Sequence, residues 1–393
     1  MSARPILLTA ALAMLVMLGS LSIDVYVPSL HAVTGEFQAD PLAAQQTLSV
    51  FALGVSLAIL FCGTLSDSLG RRRVTLVALV VFALTSAAAA LAPDLNALIV
   101  LRLLQGICAG AGGVIAFATV QGKFAPADAQ RMIATLFILG SVEQIIAPVL
   151  GGWLQTTLGW RSTFWFLAAF GCLLLAMSLR ALDETLPAAD RVPLRLRPIA
   201  ANYLTCLCHL PFMLMAVALG LGMGGFALYT GAASPYILEI LRLSETDFGW
   251  LFTPLALGMA AGSFAANRYA HKATANRLTR IGFALTIVAA LISIGYTAWF
   301  TLAIPYATLP LFLYAFGIAL ATPGMMVTML SLFPRMRGLA ASMQGFVQVM
   351  LFALIAGLLA PLLFHSAQAL AWTHLALLVA GLVAWEAGIR IPK

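Results

Sequence analysis

The chain is 393 residues long, 62% hydrophobic and 9% charged, with a net charge of +7. Soluble globular chains run at about 45–50% apolar and about 25% charged residues, so the composition excludes a soluble fold and makes the bilayer the solvent for much of the surface. The length accommodates about a dozen spans of roughly 20 residues with their loops, leaves no room for a sizeable soluble domain, and turns the positive charge into a question of position along the chain rather than of nucleic-acid binding.

Apolar runs between turn and charge signals predict twelve spans. The first six cover 6–28, 44–66, 74–92, 95–121, 132–155 and 162–181. The opening run, with Arg4 ahead of it, has the look of a signal peptide, but Asp24 and the many later spans predict a retained first helix. Near its end Ser20, Asp24 and Pro28 follow one another at one-turn spacing and form a polar stripe. After span 2 comes Gly63-Thr-Leu-Ser-Asp67-Ser-Leu-Gly70-Arg71-Arg72-Arg73. Span 4 places Arg102, Gln105, Gly106 and Ala109 on one face, and span 5 does the same with Gly140, Glu143, Ala147 and Gly151. Small residues let a neighbouring helix approach closely, and Pro148 can bend the span.

A polar stretch, 183–202, divides the chain. It carries Pro187, Pro193 and Pro198 with Arg191, Arg195 and Arg197, and reads as a linker on the cytoplasmic side between an N-terminal bundle, 1–182, and a C-terminal bundle, 203–393. The remaining spans cover 205–237, 248–266, 279–302, 306–332, 339–363 and 368–389. Gly262, followed by His271 and Lys272 after span 8, echoes Gly63 and its arginines about half the chain earlier, a weak repeat of the kind many transporters carry. With both termini placed in the cytoplasm, Arg161 and Arg242 fall outside, Arg102 falls within a span, and every other Lys and Arg falls inside. That asymmetry supports the span list and the orientation together.

Asp24, Arg102 and Glu143 lie well inside predicted spans, where each would cost about 2.5–3.5 kcal/mol or more at the bilayer centre, so each is a functional candidate. Asp24 is read as a proton carrier or as a static partner of Arg102. Arg102 pairs either with Asp24 or with a backbone carbonyl of span 1. Glu143 binds a cationic substrate, serves as a second proton site, or pairs with a polar group on span 8. Softer candidates for an adaptable substrate cavity are Tyr26, Phe226, Tyr229, Tyr236, Tyr314, Gln344 and Gln348, with ordinary helix packing as the alternative for each. The five cysteines show no disulfide or zinc spacing. No phosphate-binding loop, HExxH or GxSxG appears, which argues against ATP as energy source and against an enzyme.

These motifs resemble the major facilitator superfamily along the full length. The Gly63–Arg73 stretch is similar to its loop 2–3 signature, Arg102-Leu-Leu-Gln105-Gly106 to its span 4 motif, and Gly140 with Ala147-Pro148-Val149-Leu150-Gly151-Gly152 to its antiporter motif. Ile23-Asp24-Val25-Tyr26-Val27-Pro28-Ser29-Leu30 and Asp183-Glu184-Thr185 resemble the Bcr/CflA drug-resistance group. The resemblance implies an all-α fold of two pseudo-symmetric six-helix bundles. It implies that Gly63, Asp67, Gly70, Arg71, Arg72 and Arg73 form a gate latch in which Asp67 caps a helix end and pairs with arginine, and that the span 5 motif seals against leak. It further implies a proton-coupled exporter of small amphipathic compounds that works without a cofactor, with the proton as coupling ion. The expected partners are a small-molecule substrate and membrane lipid. A monomer is expected, since nothing in the helical core calls for oligomers. A dedicated exporter of a sugar, amino acid or siderophore-like metabolite, and a sensor that moves nothing, are the alternatives.

Overall fold

The computed structural model describes residues 3–186, 191, 196–269, 273–334 and 336–391. Pro187, Pro193, Arg195, His271, Lys272, Arg335 and Lys393, which entered the loop reading above, lie outside the described residues. Among the described residues every regular element is helical. That is the expected answer to an apolar solvent, in which backbone N–H and C=O groups must be satisfied within the segment.

The chain forms two compact units, Met1–Leu196 and Arg197–Lys393. The first contains α1 (Ala3–Asp24), a 3-10 turn (Val27–Ser29), α2 (Leu30–Glu36), α3 (Pro41–Leu69), α4 (Arg71–Ala90), α5 (Leu95–Lys123), α6 (Pro126–Leu158) and α7 (Arg161–Ala181). The second contains α8 (Leu196–Cys208), α9 (Leu210–Gly222), α10 (Gly224–Gly231), α11 (Ala233–Pro235), a π turn (Tyr236–Ile240), α12 (Gly249–Tyr269), α13 (Ala275–Trp299), α14 (Leu309–Leu330), α15 (Arg337–Leu354) and α16 (Ala367–Arg390). Among the described residues eleven helical segments are long and apolar enough to cross a membrane, or twelve if the bent pair on either side of His209 counts as one span. Leu84, Phe264, Val327 and Leu362 are among the large apolar side chains that point outward, as lipid-facing residues do.

Polar residues stand where the helices begin. Asp40 accepts from Leu42 N at 2.8 Å, Asp94 from Ala97 N at 2.8 Å and Ser366 Oγ from Ala369 N at 3.1 Å. Each satisfies one of the amides that a helix start leaves without an intrahelical partner.

Two spans differ from the sequence reading. The first does not run straight through 6–28: α1 ends at Asp24, and a 3-10 turn and α2 carry the span on to Glu36. Tyr26 N bonds Ile23 O at 3.0 Å, a tightened turn rather than a continuing helix, and Pro28 has no N–H to continue one. The seventh, read as one run over 205–237, is broken at His209, Met223 and Ala232. At His209 the chain turns through 82°, so α8 is a separate helix that starts within the stretch read as linker. At Met223 a second break divides α9 from α10. A continuous apolar run hides such breaks because apolarity is the same on both sides of them.

The two units share one packing device. A β-carbon on Gly106 would sit 2.1 Å from the Phe51 carbonyl oxygen, and one on Gly258 would sit 2.3 Å from that of Phe312. The second and fourth spans of each unit, α3 with α5 and α12 with α14, therefore cross backbone to backbone, a contact that any larger residue would push apart.

Candidate functional site

The break after α1 positions the first candidate group. Residues 24–30 are all buried. Non-helical backbone at membrane depth survives only where protein encloses it. Asp24, at the last helical position of α1, is 2% exposed, and its Oδ2 has no hydrogen-bond partner. Glu143 of α6 is 8% exposed; its Oε2 accepts from Ser20 Oγ at 2.7 Å, and its Oε1 has no partner. Ser20 and Asp24 lie one turn apart on α1, so the bond from Ser20 brings Glu143 to the helix face that carries Asp24. The stripe Ser20–Asp24 on α1 thus faces Glu143 across a helix pair.

The antiporter-like motif brings that pair together. Ala147 and Pro148 are buried on α6. A β-carbon on Gly151 would lie 2.2 Å from the Val25 carbonyl oxygen, one residue beyond Asp24. A β-carbon on Gly140, by contrast, would meet nothing within 4 Å outside its own helix among the described residues. Gly152 is buried one position further along. The close approach is therefore concentrated at Gly151, and within the first unit it holds α6 against the break in α1. Gly151→Ala is expected to cost about 1–3 kcal/mol through overpacking, read as a lowered midpoint in thermal unfolding, whereas Gly140→Ala leaves the midpoint unchanged.

Arg102 is completely buried on α5. It makes no ion pair among the described residues: NH2 donates to Ser22 O at 3.3 Å, Nε to Thr47 O at 3.3 Å and NH1 to Gln105 Oε1 at 2.5 Å. Of the two sequence readings, the geometry is that of the carbonyl of span 1 and not of Asp24. Gln105 is held by its bond to Ser86 Oγ at 2.7 Å. The guanidinium lies 4.0 Å from the Phe51 ring and 4.9 Å from the Tyr26 ring, within cation–π range. Tyr26 is fully buried, bonded through its hydroxyl to Thr47 at 2.9 Å and packed on Phe164. Its ring serves the cation and does not line open space. Thr47, which no motif flagged, supplies both a carbonyl to Arg102 and a hydroxyl to Tyr26.

The basic loop is stitched down by contacts to α3, to α5 and to the segment after α7. Gly70, at φ +97°, makes the turn between α3 and α4. Asp67 pairs with Arg71 at 3.2 Å, but it does not cap the following helix. That role belongs to Glu184, whose Oε1 accepts from Arg71 N at 3.1 Å, placing a carboxylate at the N-terminus of α4. Arg71 also reaches Ala118 O at 2.8 Å, and Arg72 donates to Leu182 O at 2.8 Å. Arg73 is exposed. A β-carbon on Gly63 would meet, outside its own helix and among the described residues, only the Val114 side chain, at 3.8 Å.

In the second unit Tyr229, Tyr236 and Tyr314 are buried, Phe226 is half-buried beside Phe352, and Gln344 Nε2 donates to Gln348 Oε1 at 2.7 Å. His374 of α16 stands among the tyrosines, 1% exposed, with neither ring nitrogen partnered. The sequence reading passed over it. A lone histidine inside an apolar span was the available signal.

The description "Major Facilitator Superfamily" matches residues 12–361. The chain is 30% identical to the MFS-type transporter YdgK of Bacillus subtilis (strain 168), over 81% of this chain and 78% of that one. It is 26% identical to a bicyclomycin resistance protein homolog of Haemophilus influenzae, over 95% and 94%. Its structure is similar to that of the human organic anion transporter MFSD10, with a TM-score of 0.69 at 20% identity, covering 98% of this chain and all of the other.

Proposed function

This chain belongs to the major facilitator superfamily of multi-pass membrane transporters, and from that premise we propose that it is a proton-coupled exporter of small amphipathic, drug-like compounds, working by alternating access. In this reading it lies in a bacterial-type inner membrane with both termini in the cytoplasm, as a monomer bounded by lipid. The name of the Haemophilus relative, a bicyclomycin resistance protein homolog, supports the drug-like substrate class.

The observation that carries the proposal is the pair Asp24 and Glu143. Two buried carboxyl groups each keep an oxygen without a partner, while the nearest buried cation, Arg102, is fully engaged by carbonyls, an amide and aromatic faces. An unpaired buried carboxylate is costly. A bound proton removes that cost, and a proton leaves when water or a substrate reaches the group. That is the exchange an antiporter requires. A ligand shifts two conformations only by its different affinity for them, so proton and substrate must favour opposite-facing states. Asp24, at the end of a broken helix, sits where such a change of packing would be felt first. Asp67, Gly70, Arg71, Arg72 and Glu184 serve in this reading as the latch of the cytoplasmic side.

The test is efflux of a panel of fluorescent compounds from cells lacking their own pumps. Wild-type protein is expected to expel some of them, and a protonophore to stop it. Glu143→Gln is expected to weaken export of cationic compounds more than neutral ones, because it removes a negative charge and keeps the shape. Equal loss for both classes would assign Glu143 to a proton or structural role instead. A well-expressed protein that expels nothing from the panel would favour the dedicated metabolite exporter.

A further inference from the structure

The break in span seven is held open by a side chain from another helix. In an uninterrupted helix Phe226 N–H would bond to Gly222 C=O, four residues back. Here the Tyr314 hydroxyl of α14 stands between them: it donates to Gly222 O at 2.9 Å and accepts from Phe226 N at 2.9 Å. A side chain inserted into the i→i−4 ladder interrupts it, and α9 ends and α10 begins on either side of Met223. The wedge is therefore a full substitute for one helical bond, not a bystander beside a break.

A second partner for that hydroxyl stands next to it. The Tyr314 and His374 rings meet edge to face with centroids 4.5 Å apart. A β-carbon on Gly225 would lie 2.2 Å from His374 Nε2 and 2.8 Å from Tyr314 Cζ, so nitrogen and phenol border the same small space, which only a glycine leaves free. Both imidazole nitrogens are buried and unpartnered. Buried polar groups without partners are rare and call for an explanation.

We infer that Tyr314 is a two-position positioning residue for transport: its hydroxyl either wedges the Gly222–Phe226 bond open or moves to a ring nitrogen of His374 and lets that bond close. The hydrogen bonds balance. In the first position Tyr314 makes two, to Gly222 O and from Phe226 N, and His374 makes none. In the second the helix regains its own bond and Tyr314 donates to His374, again two. An exchange between equal numbers of bonds makes the span bistable, interrupted at Met223 in one state and continuous there in the other, without leaving a new orphan. Packed elements with two discrete arrangements of this kind are what alternating states are built from. The inference rests on the transport reading for its role in the cycle, but the interruption itself does not depend on proton coupling.

The test is a distance measurement between spin labels at Leu210 and Glu239, exposed positions on either side of the break, in full-length protein whose native cysteines are replaced, in lipid nanodiscs. Two distance populations are expected. Tyr314→Phe, which keeps the ring and removes the wedge, should leave only the longer one. His374→Leu, which removes the alternative partner, should enrich the shorter one about tenfold, on the scale of one hydrogen bond. His374→Gln, which restores a buried acceptor, should return both populations. Export should slow in Tyr314→Phe and in His374→Leu and recover in His374→Gln. A single population unchanged by Tyr314→Phe would overturn the inference, as would export at the wild-type rate in that variant. Two populations in a protein that exports nothing from the panel would leave the switch standing and count against the substrate reading alone.

Discussion

Asp24→Asn is expected to abolish accumulation of substrate against a gradient while leaving the protein folded, abundant in the membrane and able to exchange substrate for substrate. Asparagine has the shape of aspartic acid, so the Gly151–Val25 contact and the turn after α1 are undisturbed. What it lacks is the ability to take up and give back a proton. Its effect should therefore appear only where a proton must move. In the wild-type protein one pH unit supplies about 1.4 kcal/mol per proton, and 100 mV supplies about 2.3 kcal/mol per charge. Together they sustain a roughly few-hundredfold gradient of a neutral compound, since each 1.4 kcal/mol is about tenfold. In the variant that gradient should collapse to none. Counterflow in liposomes, which needs no net proton movement, separates this from unfolding: counterflow near the wild-type rate with no uphill transport is the expected pair of results. Undiminished uphill transport would remove Asp24 from the coupling role.

Arg102→Ala is expected to have the largest effect on stability. It empties a fully buried site walled by Phe51, Tyr26 and Phe164 and removes three hydrogen bonds. Truncations of large buried side chains cost about 3–5 kcal/mol, and hydrogen bonds to a charged group contribute about 1.5–3 kcal/mol each. Two of the acceptors, Ser22 O and Thr47 O, belong to different helices, so the loss frees α1 from α3. A fall in the unfolding midpoint of purified protein measures it. Arg102→Lys should recover only part of the loss, because an ammonium group lacks both the planar fork and the flat face that stacks on Phe51. A midpoint unchanged in Arg102→Ala would mean that the buried guanidinium does not tie the first unit together.

The sequence made the helices and most of the spans legible, because 62% apolar composition leaves a bilayer few other solutions. It also pointed to Asp24, Arg102 and Glu143, because an ionisable group in an apolar run stands out. What it hid were relations that depend on a second element. Span seven reads as one apolar, glycine-rich run, and only the Tyr314 hydroxyl from α14 reveals why it breaks at Met223. The family resemblance makes Asp67 a helix cap, yet at the start of α4 it is Glu184 that accepts from Arg71 N, from beyond α7. For Arg102 the sequence leaves open Asp24 or a carbonyl of span 1, and only the fold selects the carbonyl and adds Thr47 O and the aromatic faces around it. Ser20 was visible as part of a stripe, and only the fold brings Glu143 to it.

The central claim is that export is exchanged for protons at Asp24. It is tested most directly by reconstituting the purified protein in liposomes, adding a compound from the efflux panel to one side, and following the pH of the lumen. The account predicts proton movement opposite to the compound, dependent on its presence and absent in Asp24→Asn. Compound movement with no accompanying proton movement, or the same proton movement in Asp24→Asn, would contradict it.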